Sequence, residues 1–202
     1  MNLKLFFFFI IPILVYSQNA NEVIKNLQDR FDQTQTLKAE FSQTIFSNDN
    51  NKLNSLSGTF YFKKENNFVI ILPNRDIISD GISVWNYDKT QSKVVISPFE
   101  TGNTAFSLNE IIYSYPEKCK LTLIDNDDNN FIIKSIPNNS EYSFKESYIT
   151  INKNYLLNKI EIIDFNDIKY AFELFLIEIN PKIDEEIFQF NPPKEIETID
   201  LR

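Results

Sequence analysis

The sequence predicts a mainly β protein: an antiparallel meander of about ten strands, curled or closed into a barrel, with two or three helices. Three observations carry this expectation. Apolar and polar residues alternate through successive short segments. The connections between them are brief and rich in Asn, Asp, Pro and Lys. Helical spacing of apolar residues occurs in only two places.

The chain opens on MNLKLFFFFIIPILVYS, with one positive charge at Lys4, an apolar run from Leu5 to Val15, and a small residue at Ser17. That run is too short to span a bilayer. It reads as a secretory signal peptide over residues 1–17, with a retained anchor as the alternative. No Cys follows the run, so lipidation of the new N-terminus is not expected. Residues 18–202 have a length that fits a single domain. The whole chain carries a net charge of −8, and removing Lys4 makes it more negative. Phosphate backbones need the opposite sign, so nucleic acid is not an expected partner. Cys119 is the only cysteine, so the exported fold must rest on its own core without a disulfide.

The first element is a helix over 21–33. Val23, Ile24, Leu27 and Phe31 share one face, and Asn21 is positioned to cap it. The period then changes. In LKAEFSQTIF, Leu37, Ala39, Phe41 and Ile45 alternate with Lys38, Glu40, Ser42 and Thr44, as on a half-buried strand. GTFYFKK places Phe60, Phe62 and Lys64 in one phase, and FVIIL places Phe68, Ile70 and Leu72 together. VWNYD comes after a Ser79-Asp80-Gly81 turn in which Gly81 supplies a positive φ and Asp80 caps. Trp85 and Tyr87, two apart, share a face of that strand. KVVIS, KLTLID, NNFIIKSI, SYITIN, LLNKIEIIDF and YAFELFLIEIN complete the series.

The second helical segment runs from Thr101 to Glu117. Ser107 with Glu110 resembles a capping box, and Pro116 is placed to stop the helix. Ala105, Leu108 and Ile112 form its apolar stripe, with Phe106 beside them.

Absences bound the chemistry. There is no His, which removes Ser-His-Asp and Cys-His catalysis and His-ligated metals. Three glycines cannot build a phosphate-cradling loop. A hydrolase with two carboxylates would have to use mid-strand acids, Glu161 and Glu173. The acidic run Asp125 to Asn130 reads as a solvated turn. No metal or cofactor is expected.

A large curled sheet with two short helices encloses a space. Small barrels fill it with side chains and wider ones hold ligand, and on pattern alone a packed core or a sandwich is favoured over a hollow barrel.

AEFSQTI (Ala39 to Ile45), SGTFYFKK, Pro73, ISDGISVWNYD (Ile78 to Asp88), TGNTAF (Thr101 to Phe106) and FQFNPPKEIETIDLR (Phe188 to Arg202) occur in this order behind the leader. In these motifs and their spacing the chain resembles the LolA family of periplasmic outer-membrane lipoprotein carriers, over essentially all of residues 18–202. The resemblance implies an incomplete, half-open antiparallel barrel with a helical lid over a hydrophobic cavity. It implies a non-enzymatic, monomeric periplasmic carrier. Its cargo would be acylated lipoproteins, its donor an inner-membrane ABC transporter, and its acceptor the outer membrane or a receptor there.

On this resemblance Phe41, Phe60, Phe62, Phe68, Ile70, Trp85, Tyr87, Phe106, Leu108 and Ile112 are the expected cavity lining. One departure stands out. Where the family has an Arg that latches the lid, this chain has Lys64, a point charge instead of a planar fork. A half-barrel binding protein or sensor for another acylated molecule is the alternative function. A carboxylate hydrolase is a more distant one.

Overall fold

The structure is a computed structural model that describes residues 19–99, 108–139, 144–192 and 195–202. The proposed leader and residues 101–107 of the expected helical segment, among them Ala105, Phe106 and the capping-box residue Ser107, lie outside the described residues.

Helix α1 spans Ala20–Asp32 and begins earlier than the sequence suggests. Asn19, not Asn21, is the cap: its extended backbone lets Oδ1 accept the Glu22 N–H at 3.0 Å. Such a cap is worth about 1 kcal/mol. Val23, Ile24 and Leu27 are buried, and burial of each contributes about 1.5–3 kcal/mol.

Twelve strands are described: β1 (Thr36–Phe46), β2 (Lys52–Lys63), β3 (Asn67–Ile71), β4 (Arg75–Asp80), β5 (Ser83–Asp88), β6 (Lys93–Pro98), β7 (Cys119–Asn126), β8 (Asn130–Pro137), β9 (Phe144–Asn152), β10 (Leu157–Asp164), β11 (Lys169–Ile179) and β12 (Glu197–Asp200). They form one open sheet in the order β12-β6-β5-β4-β3-β2-β1-β11-β10-β9-β8-β7. The half-open barrel expectation holds: the sheet is curled and unclosed, with β12 and β7 at its edges. The long strands β1 and β11 pair at its centre, so the chain's meander folds back on itself there.

Two features depart from a simple meander. Arg75–Asp80 is a strand of its own, between segments the sequence pattern joins by a turn. The final strand β12 pairs parallel to β6, because the chain crosses the sheet before adding at the edge.

The second helical segment also differs. From Leu108 it is helical, with a π-helical turn over Glu110–Ser114 that runs into α2, Tyr115–Lys118. Pro116 does not stop it. Pro116 sits in the first turn of α2 within this continuous run; having no N–H it cannot bond back to the Ile112 carbonyl, which instead accepts from Gln28 Nε2 at 3.0 Å.

The Ser79-Asp80-Gly81 turn forms as the sequence predicts. Gly81 has φ +87°, and Asp80 Oδ1 accepts the Ile82 and Ser83 N–H groups at 2.9 and 2.8 Å. A Cβ on Gly81 would also lie 2.3 Å from the Glu65 carbonyl oxygen, so this turn packs directly on the β2–β3 turn.

The sheet has two differently covered faces. On the concave face α1 and the segment from Leu108 to Ile112 pack on Leu37, Phe60, Phe62, Phe68, Ile133, Ile149, Ile160 and Leu174 in one core. On the convex face Ile183, Ile187, Phe188 and Phe190 of the C-terminal strap cover Tyr61, Val69, Ile78 and Trp85. A 3₁₀ turn at Glu185–Phe188 carries the buried Phe188.

Candidate functional site: an apolar cavity on the concave face

Register decides which aromatic residues reach the concave side. Phe60 lies opposite Ile70, Ile70 opposite Ile77, and Phe62 opposite Phe68. These rows face α1. The neighbouring phase runs Tyr61, Val69, Ile78, Trp85, Ile96 across five strands, and faces the other way. Trp85 and Tyr87 are therefore not on the concave side with Phe60 and Phe62, as the resemblance led us to expect. Trp85 packs beneath the strap, and Tyr87 meets Phe190. The apolar residue that this strand presents to the concave core is Val84.

Under the helices the interior is almost filled. Leu27, Phe31, Leu37, Leu108, Ile112 and Leu174 leave a void of only about 20 Å³. Phe62, Phe68, Leu108 and Ile112 all belong to this closed core, at 8% exposure or less. Beyond it lies an open cavity of about 220 Å³. Its apolar walls are Phe41, Leu56, Phe60, Ile70, Leu72, Ile77 and Phe172, and its polar lining is Gln43 and Arg75.

Of the expected lining residues, Phe41, Phe60 and Ile70 meet in this cavity. Ile77 and Phe172 join them without having been singled out by the sequence. A signal for Phe172 exists, since it shares strand phase with the buried Leu174. Ile77 is hidden because the alternation pattern leaves β4 inside a turn.

The helical segment is held at its rim by a small polar cluster around the end of α1. Lys64 Nζ donates to the Asp32 carbonyl at 2.6 Å. That carbonyl is one of the last-turn acceptors a helix cannot satisfy itself, and a cation there also complements the helix dipole. Tyr113 Oη donates to Asp32 Oδ1 at 2.5 Å. Burial, reinforced by the Asp32 carboxylate, pushes the Tyr113 hydroxyl far above its ordinary range. Gln28 Nε2 donates to the Ile112 carbonyl at 3.0 Å, and Asn109 Nδ2 approaches Asn66 Oδ1 at 3.4 Å. Lys64 thus stands beside the helical segment but grips α1. Its link to the segment runs through Asp32 to Tyr113.

The two mid-strand acids do not converge on the cavity. Ile160, Ile162 and Leu174 face the core, so Glu161 and Glu173 point outward. Glu161 is bridged by Lys159 at 3.3 Å and Lys169 at 3.6 Å.

Comparison with known proteins agrees with this architecture. Residues 32–191 match the family model described as outer membrane lipoprotein carrier protein LolA. An outer-membrane lipoprotein carrier protein of Nitrosomonas europaea is 26% identical over 181 residues, covering 87% of this chain and 88% of the relative. One from Legionella pneumophila is 27% identical over 205 residues, covering 92% of each. In fold, the chain resembles the crystal structure of an uncharacterized conserved protein from Thermus thermophilus, with a TM-score of 0.59 at 11% identity over 90% of this chain and 98% of the other. With the family model spanning nearly all of the sheet, the chain belongs to the LolA outer membrane lipoprotein carrier family.

Proposed function

We propose that this protein is a periplasmic carrier that shields the acyl chains of lipoproteins and moves them from the inner to the outer membrane. The observation that carries this reading is the open apolar cavity on the concave face, continuous with a core roofed by α1 and the segment from Leu108. Each buried methylene is worth about 0.8 kcal/mol, so two or three long chains hold a lipoprotein in a membrane almost irreversibly. A soluble carrier must replace that apolar environment and still release its cargo. The closed core has little free volume, so loading moves the roof: Leu108, Ile111 and Ile112 lift and hand their places to acyl chains. The π-helical turn at Glu110–Ser114 is a natural point for that movement, as single π turns within helices are frequent at functional sites. Residues 1–17 act as the export signal, and residues 18–202 form the working domain. An inner-membrane ABC transporter is the donor, and the outer membrane or a receptor in it the acceptor. The role requires no catalysis.

The test is displacement of an environment-sensitive fluorescent lipid from the purified protein. A triacylated lipopeptide displaces it, and the same peptide without acyl chains does not. Equal displacement by both peptides overturns the reading. Displacement by phospholipid with none by lipopeptide assigns the site to a different lipid. In cells, depletion of the protein leaves lipoproteins in the inner membrane.

A further inference from the structure

The cavity has a strand edge at its lip. β3 pairs with β2 only from Thr59 to Lys63, and the β3–β4 hairpin turns back at Leu72, whose N–H bonds the Arg75 carbonyl. The first half of β2, Lys52 to Ser57, therefore has β1 on one side and no described strand on the other. Its residues are exposed except Leu56. A strand paired on one side leaves alternate N–H and C=O groups facing outward. The Ser55 N–H is one of these, and it donates to the exposed Asn54 Oδ1 at 2.7 Å.

Leu56 belongs to both features. Its backbone is part of the free edge, and its side chain lines the cavity with Gln43 and Leu72. A ligand whose acyl chain lies against Leu56 delivers its head group to this edge. If the cargo is an acylated protein, that head group is the first residue of an extended polypeptide.

We infer that the leader segment of the cargo adds to the Lys52–Ser57 edge of β2 as an extra strand, an inference that rests on the carrier reading above. Main-chain bonds recognise any extended sequence, because strand addition reads backbone and not side chains. The edge carries Lys52, Asn54, Ser55 and Ser57 around one exposed apolar residue, Leu53, so its outer surface is mostly polar. A carrier serving many lipoproteins needs such sequence-blind contact. The acyl chains supply affinity in the cavity, and the strand fixes the direction in which the folded cargo leaves.

Amide hydrogen exchange at Ser55 and Ser57 tests the inference. Two probes are compared, a triacylated lipopeptide with a polar leader and a diacylglycerol without peptide. The lipopeptide should slow exchange along this edge by about tenfold, and the diacylglycerol should leave it unchanged. N-methylation of alternate leader amides should abolish the slowing and weaken lipopeptide binding by about tenfold. Ser55→Pro, which removes an outward N–H not bonded to β1, should weaken the lipopeptide and spare the diacylglycerol. Lipopeptide binding with an unchanged edge overturns strand addition and leaves the cavity reading standing. Binding of neither probe overturns both. Slowing that grows with protein concentration and needs no ligand assigns the edge to a second copy of this chain, and also overturns the inference.

Discussion

Tyr87 and Phe190 face one another across the convex side of the sheet, ring centroids 5.3 Å apart and planes tilted by 36°. With Phe188 seated beside Val69, Ile78 and Trp85, this contact ties the C-terminal strap to the side of the sheet away from the cavity. The lone tryptophan of the chain is thus a reporter of the strap. Trp85 emission should stay constant when an acyl ligand enters the cavity, and should shift on Phe188→Ala. Phe188 is 3% exposed, so its truncation should cost about 3 kcal/mol. A large Trp85 response to ligand with none to Phe188→Ala would contradict the assignment of faces.

Leu108 and Ile112 are 6% and 2% exposed, in the same core as α1. Ile112→Ala should destabilise the roof by about 2–4 kcal/mol. If the roof opens as a unit, the amides of Ile111 to Ser114 should lose protection against hydrogen exchange while those of β8 to β10 keep theirs. Uniform loss across the sheet would mean that the segment is an inseparable part of the core.

Tyr113 and Asp32 give the roof a pH dependence. The Tyr113 hydroxyl is raised above its ordinary value of 10.0, so the folded state favours the protonated form. Its contribution is fully present below about pH 10 and is lost as pH rises through the elevated value. Exchange of the Ile111–Ser114 amides should therefore quicken above about pH 10 in the native protein, beyond the ordinary acceleration by hydroxide. Tyr113→Phe should show the quicker exchange already at neutral pH and lose the alkaline step. Parallel profiles for the two proteins would refute the role of this hydrogen bond.

Lys64 acts on α1 through the Asp32 carbonyl. Lys64→Leu should loosen the last turn of α1 and, through Asp32 and Tyr113, the helical segment, with exchange there accelerated a few-fold, as an interaction of about 1 kcal/mol allows. Lys64→Arg should reverse the direction, since a guanidinium can donate to the Asp32 carbonyl and to a second acceptor. Identical exchange in all three proteins would make Lys64 a bystander.

Gly58 marks the place where β3 crowds β2. A Cβ there would lie 2.1 Å from the Ile71 carbonyl oxygen, a backbone atom with nowhere to go. Gly58→Ala should destabilise the domain by about 2 kcal/mol and disturb the cavity wall at Leu72. Full stability measured by urea unfolding would show that the β3 end yields freely.

The class of the fold is legible in the amino-acid order, since alternation over strand-length segments survives any packing arrangement. So is α1, because Val23, Ile24 and Leu27 repeat at helical spacing. The Gly81 turn is equally local, and only a residue without a side chain can make it against Glu65. The motifs from Ala39 to Arg202 also carry the family. Which face each strand presents to the cavity is set by the folded sheet. A period of two says that Trp85 and Tyr87 agree with each other but not with which side they agree, and each hairpin register resets that choice. Without β4 in the pattern, the phase cannot be carried from Ile70 to Trp85. The strap that claims Trp85 lies far along the chain, and β12 pairs parallel at an edge whose identity depends on the full strand order. Lys64 likewise reaches Asp32 only because β2 ends beside the last turn of α1. Such contacts depend on how the curled sheet brings distant segments together, and no local pattern encodes them.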